Sequence, residues 1–326
     1  MRPFVSSASI LAIALAATNA LAQTAAPGYS IEIAATGLTN PMDVAVDASG
    51  FVYVSDSGAG RIIKGTPGSF APIISDIPVA PFIGINLGPA GLAINGSSLY
   101  WGEAGRETGI EQVHESSLSG APIQALPPAE QGGNWTALTV DSQNQLLAVS
   151  SNGDKIYAAS RGDGGQYGDF GVWIDTQMDD LVSPTGIAQI ANTLFVSYYG
   201  PFGEFGGVAA YDALTAEIIN PSILSDLFAP TAIEATNDGR LLVLEYGFDF
   251  SDGRLSIFNP ADNSVEVIVT GLSRAAGVAQ APDGSIYITE QFATNQASGR
   301  LIRVIPAPGA LALMGLAGIA ASRRRR

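Results

Sequence analysis

Residues 40–56, NPMDVAVDASGFVYVSD, decide the fold, because the chain repeats their pattern six times. A Pro or Thr leads into a small residue, then a short apolar run, a polar turn, a second apolar run and usually an acid. Val44, Leu92, Leu138, Ile187, Ile233 and Val278 hold the same place in the successive copies and lie 48, 46, 49, 46 and 45 residues apart. A period in this range marks supersecondary units that stack or circle an axis, and not a doubly wound or helical fold.

Each copy reads as three short strands, with a fourth before the next copy begins. In the first, residues 43–47 are expected as strand a, 51–56 as b, 61–64 as c and 70–77 as d. The uninterrupted apolar character around Val52-Tyr53-Val54 fits a sheet covered on both faces. The turns between a and b carry Asp47-Ala48-Ser49-Gly50, Asp238-Gly239 and Asp283-Gly284, which are hairpin signals. The sixth copy, 277–281, 285–290 and 299–304, has no fourth strand after it. Residues 29–35, YSIEIAA, stand before the first copy and lead into Thr36-Gly37-Leu38, much as Val269-Thr270-Gly271-Leu272 precede the last. The economical account is that this N-terminal strand completes the sixth unit and removes the open edge. The expectation is therefore an all-β, six-bladed β-propeller closed by its N-terminal strand. An open solenoid would lack caps and would leave residues 29–35 unexplained.

Bulk composition agrees. Hydrophobic content of 47% is ample for a core, and 38 Gly with 19 Pro supply many tight turns. There is no cysteine and one histidine, His114, which excludes Cys-based zinc or thiol chemistry and a His pair for metal or proton relay. Formal charge is −15; setting aside Arg2 and the four terminal arginines leaves 10 bases against 30 acids, or −20. Such a body repels polyanions, so nucleic acid and anionic lipid are poor partners for it, and its acidity serves solubility outside the cell.

Both ends read as addresses, giving 1–22 as a signal peptide, 23–304 as the propeller and 305–326 as a sorting or anchor segment. Arg2, an apolar stretch over 10–17 and Ala20-Leu21-Ala22 before Gln23 make a secretory leader with cleavage between Ala22 and Gln23. Residues 24–28 are then a polar spacer. At the other end, Ile305-Pro306-Ala307-Pro308-Gly309 precede an apolar run over 310–321 and then Arg323, Arg324, Arg325 and Arg326. Twelve apolar residues form a short helix, below the ~20 of a comfortable span, and the arginines would stay cytoplasmic. This arrangement resembles the PEP-CTERM signals of exosortase-processed bacterial proteins, with Pro306, Ala307 and Pro308 in place of Pro-Glu-Pro. The resemblance implies an exosortase-like processing partner, transient anchoring in the inner membrane, and delivery to the cell surface or extracellular matrix.

The body has its own resemblances. Ala276-Gly277-Val278-Ala279 with Asp283-Gly284-Ser285-Ile286-Tyr287-Ile288-Thr289-Glu290 is similar to NHL-type repeats. Leu99-Tyr100-Trp101-Gly102-Glu103 resembles the YWTD variant. With the leader, the whole resembles the exported ScyD/ScyE propellers associated with scytonemin clusters, a likeness that carries no activity over to particular residues.

In a propeller, strand a starts and strand b ends on one face. The ends of strand b carry Asp56, Glu103, Ser150, Tyr198, Glu245 and Glu290. Arg61, Arg254 and Arg300 open strand c opposite Asp56, Glu245 and Glu290, an ordinary cross-strand pairing. Glu103 has Ile110 at that place, although Arg106 lies within its loop, and is expected to be the acid most free for a ligand. No cofactor is expected, although a ring of acids leaves room for a bound calcium ion. The b–c loops add Tyr198, Tyr199, Phe202, Phe205, Tyr246, Phe248 and Phe250, flat apolar faces suited to a carbohydrate, a planar small molecule or a protein partner, or else to a small loop core. His114 reads as an exposed polar residue. The channel mouth is expected at Asp43, Thr136, Thr185 and Thr231, offering neutral hydrogen bonding. These features favour a noncatalytic binding or scaffold protein of the envelope or matrix. The alternative is a metal-dependent lactonase of the gluconolactonase type, in which Glu, Asn and Asp near the starts of strand a hold the ion. Here that column reads Met42, Ala90, Thr136, Thr185, Thr231 and Ala276, with Asp43 the one nearby acid, a poor ligand set.

Overall fold

The structure, a computed structural model, describes residues 23–82, 85–106, 109–129, 131–200, 205–247, 251–291 and 296–307. Six four-stranded antiparallel units follow one another around a ring. Blade 1 is Pro41–Val46, Val52–Asp56, Arg61–Thr66 and Ser69–Ile74, as strands a to d. Blade 2 is Pro89–Asn95, Ser98–Glu103, Val113–Ser117 and Pro122–Ala125. Blade 3 is Trp135–Val140, Gln145–Ser150, Lys155–Ser160 and Gly171–Asp175. Blade 4 is Pro184–Ile190, Thr193–Tyr198, Gly206–Asp212 and Ile218–Leu227. Blade 5 is Pro230–Ala235, Leu241–Glu245, Gly253–Asn259 and Ser264–Leu272. Blade 6 has strands a to c at Ala275–Gln280, Ile286–Glu290 and Gly299–Pro306.

Its fourth strand is Tyr29–Leu38, which runs antiparallel to Gly299–Pro306 from Tyr29 opposite Pro306 to Leu38 opposite Gly299. The ring closes as the sequence predicts, by joining the two ends of the chain. The third strand of blade 6 extends to Pro306, two residues beyond the expected 304. The N-terminal spacer is not a plain spacer: Thr24–Ala25 pairs with Thr270 and Val269 on the outer strand of blade 5. A further short hairpin, Ala80–Phe82 with Ile85–Leu87, lies between blades 1 and 2. Ala22 and residues 308–326, including Pro308 and the four arginines, lie outside the described residues. Among those described, no helix is long and apolar enough to cross a membrane.

The core lies between blades, in six layers. Val44 and Val54 of blade 1 meet Tyr287 and Leu301 of blade 6; Tyr53 and Ile62 meet Leu99 and Trp101 of blade 2. The series continues with Tyr100 on Trp135, Leu147 with Ile187, Phe195 with Ile233, and Leu244 with Val278 and Ile288. Strand b is therefore covered on both faces, which explains its unbroken apolar runs.

The small residue of the repeat has a geometric cause. Neighbouring a strands approach so closely that a Cβ on Gly277 would stand 2.6 Å from Asp43 Cα, and one on Gly91 would stand 2.9 Å from Ala137 Cα. Gly186 meets the backbone of Ile233 in the same way.

A register shift between Ile33 and Ala35 changes which face of the closing strand points inward. Ala34 is 2% exposed while Ile33 is 56% exposed. Ala34→Asp should therefore cost about 2–4 kcal/mol by burying a charge, whereas Ile33→Thr should cost less than about 1 kcal/mol. Thermal unfolding of the two variants checks the register. Equal losses would contradict it.

Candidate functional site

Strand a starts and strand b ends do meet on one face, around a mouth of about 370 Å³. Three elements of the repeat position its walls. The starts of strand a supply Met42, Thr136, Thr185, Thr231 and Ala276; the segments after strand b supply Ser151, Asn152, Tyr199, Tyr246 and Gln291; the d–a loops supply Leu87, Asn134 and Ser183. Among the described residues no charged side chain lines it. The wall is richest over blades 3 and 4, where the repeat departs furthest from its pattern.

The three threonines line the mouth as expected, but two of the hydroxyls are already used. Thr185 Oγ1 donates to Pro230 O of the next blade at 2.8 Å, and Thr231 Oγ1 donates to Ala275 O at 3.0 Å. They latch neighbouring blades together. Thr136 makes no such bond.

Asp43 lies one step further down the bore. It occupies the column that holds Gly91, Ala137, Gly186, Ala232 and Gly277 in the other copies. Its carboxylate accepts from Val44 N at 2.8 Å and, across the blade boundary, from Leu92 N at 2.8 Å. The same lumen is lined by Glu234, which sequence reasoning missed. The signal was available: the place after each aligned apolar residue is Ala45, Ala93, Thr139, Ala188 and Ala279, and only blade 5 has an acid there. Both acids are half-buried on the inner strands, and Glu234 also lines a cavity beside Asp141, Ser142 and Gln189 on the face opposite the mouth. Burial pushes the Asp43 carboxyl up to about 7, against the two backbone donors that favour its ionised form. Burial, with Asp43 nearby, pushes Glu234 up to about 8.

The ring of acids at the strand b ends is structural. Asp56 pairs with Arg61 at 2.7 Å and accepts from Thr39 N. Glu290 pairs with Arg300 at 2.6 Å and accepts from Ser273 N at 2.7 Å. Glu245 pairs with Arg254 and accepts from Phe228 N at 2.7 Å. Each acid is buried and fastens strand c and the preceding d–a loop at once. Glu103 is not the uncompensated acid expected. Arg106 from its own loop reaches it at 2.9 Å, Gln112 N donates at 3.1 Å, and His114 Nε2 lies 3.4 Å away. These partners hold the Glu103 carboxyl below its usual range against the opposing effect of burial. His114 is likewise not simply exposed: its ring stacks on Trp101 at 3.9 Å.

Of the aromatic residues, the structure brings Tyr199 and Tyr246 together on the mouth. Tyr198 instead points along its blade, with its hydroxyl 3.3 Å from Pro221 O. Phe205 sits exposed with its ring edge-on to Phe228. Phe202, Phe248 and Phe250 lie outside the described residues. The amides and hydroxyls at Asn134, Ser151, Asn152 and Ser183 were not anticipated, because polar residues in loops carry no periodic signal.

No family model matches the sequence, and no curated protein matches it. Solved structures do resemble it. A PQQ-bound aldose sugar dehydrogenase from Streptomyces coelicolor aligns with a TM-score of 0.64 at 13% identity, covering 86% of this chain and 99% of that one. A gluconolactonase from Xanthomonas campestris aligns at 0.61 and 13%, covering 87% and 91%. A calcium structure of a Trichoderma reesei carbohydrate-active enzyme of family AA12 aligns at 0.60 and 12%, covering 88% and 97%. At these identities the likeness establishes the fold: this is an all-β, six-bladed propeller.

Calcium takes six to eight oxygen ligands; each Asp43 oxygen accepts one backbone N–H and keeps a further lone pair. Among the described residues no three His, Cys, Asp or Glu side chains converge.

Glu234 gives a pH test. A carboxyl whose pKa is raised by folding holds its proton more tightly in the folded chain, so stability falls as pH rises from the ordinary carboxylate range through about 8. Glu234→Gln removes that loss. Between pH 5 and 9 the melting temperature of the wild type should fall further than that of the variant, by about 5 °C. Parallel curves would contradict the burial of this acid.

Proposed function

We propose that this chain is an exported, noncatalytic propeller of the cell envelope or extracellular matrix that binds an uncharged, polyhydroxylated ligand at the mouth. The observation that carries the reading is the lining itself: among the described residues it combines neutral amides and hydroxyls with Tyr199 and Tyr246. Aromatic faces stack on sugar rings, while amides and hydroxyls select among their hydroxyl groups. The leader and the Pro-Ala-Pro, apolar and arginine tail supply the export and anchoring side, as the PEP-CTERM resemblance implies. The ScyD/ScyE likeness supports an exported propeller without naming a substrate. The solved propellers named as an aldose sugar dehydrogenase and a gluconolactonase support sugars as the first ligands to try.

The second reading, a metal-dependent lactonase, has the gluconolactonase likeness in its favour. Against it stands the a-strand column of Met42, Ala90, Thr136, Thr185, Thr231 and Ala276, and an Asp43 carboxylate committed to two backbone donors.

A glycan-array screen followed by calorimetry on the full chain tests the choice. Tyr199→Ala and Tyr246→Ala should each weaken binding about tenfold, in line with the loss of an aromatic contact. Glu103→Gln should leave affinity unchanged. A ligand that tolerates both tyrosine changes would overturn the mouth as its site. Lactone hydrolysis by protein carrying a bound metal would move the chain into the hydrolase class.

A further inference from the structure

We infer that, when its tail holds this protein at a membrane, the ring lies with the face opposite the mouth against the lipid and the mouth pointing outward. The inference rests on the anchoring proposed above and adds an orientation to it. The chain trace carries it. Strand c of blade 6 begins on the mouth face, where Gly299 stands opposite Leu38, and ends on the other face at Pro306, opposite Tyr29. Ala307 is still fastened to the ring, its N–H donating to Gly28 O at 2.7 Å. Only Pro308 and Gly309 then separate the ring from the apolar run that begins at Ala310.

Two residues reach at most about 7 Å. The eight residues of strand c carry the mouth roughly 25 Å away from that exit. So short a tether cannot wrap around the ring, and an inserted apolar run draws the exit face to the surface. The acidic body has no affinity of its own for anionic lipid, so the tether and not surface attraction sets the orientation. The N-terminal end lies the other way: Thr24 pairs with Thr270, which stands beside Arg254 at the mouth end of blade 5. A leader removed before Gln23 would free an end on the outward side. The ligand of such an arrangement arrives from the wall or matrix, and not from the bilayer.

The chain has no cysteine, so single cysteines report position cleanly. Ser49 is in the a–b turn of blade 1 on the exit face, and Met178, 83% exposed, follows strand d of blade 3 on the mouth face. Full-length Ser49→Cys and Met178→Cys chains, exported by their own leader in a Gram-negative host, are labelled in spheroplast membranes with a large polyethylene-glycol maleimide. The same membranes are labelled after detergent release. Met178→Cys should react at one rate in both states, whereas Ser49→Cys should react several-fold more slowly in the membrane. If the protein is membrane-bound but Ser49→Cys shows no slowing, or Met178→Cys is the shielded one, the orientation is overturned and the anchor stands. If the protein is found wholly in the soluble fraction, the anchoring reading fails and the orientation fails with it.

Discussion

The pairing of Tyr29–Leu38 with Gly299–Pro306 is the contact on which the rest depends. Each hydrophobic layer of this ring is built from two blades, so no blade is covered unless both of its neighbours are present. Without the closing strand, the last blade would expose an unpaired edge. It would also lose Ala34 and Leu38 from the layer it shares with blade 1. The chain contains no disulfide to substitute for this closure. Its stability must then come from six shared layers acting together.

Within that frame, the repeat explains both what is regular and what is not. The small residue before each aligned apolar position exists because neighbouring inner strands nearly touch, as at Gly91, Gly186 and Gly277. Asp43 breaks that column and is accommodated by giving its oxygens to Val44 and Leu92. Acids at the ends of strand b look like a ligand ring in sequence. In space, each is held by an arginine and a backbone N–H, and the described lining of the mouth consists of neutral groups that include two tyrosines.

Legibility in the sequence followed periodicity. Strand b of blades 1 and 6 is legible to within one residue, as is the closing role of residues 29–35, because apolar alternation and spacing act over long stretches. The start of strand c in blade 2 was placed three residues early, at 110 in place of Val113. The Gln112 N–H is taken by the Glu103 side chain instead of the strand ladder, and one such bond leaves no pattern. Glu103 was misjudged for a related reason. Spacing shows that Arg106 lies in the loop but not that it folds back onto Glu103. Glu234 was visible only by comparing one column across six copies. Asn134, Ser151 and Ser183 gain their meaning solely from convergence at the mouth, which spacing cannot report.

Native-state hydrogen exchange of the closing strand tests ring closure most directly. If Tyr29–Leu38 is an integral blade strand, its paired amides open only with the ring. Their protection should then match that of Ile286–Glu290 in the same sheet. Exchange of the closing-strand amides at rates typical of fraying termini, while Ile286–Glu290 stays protected, would contradict the account.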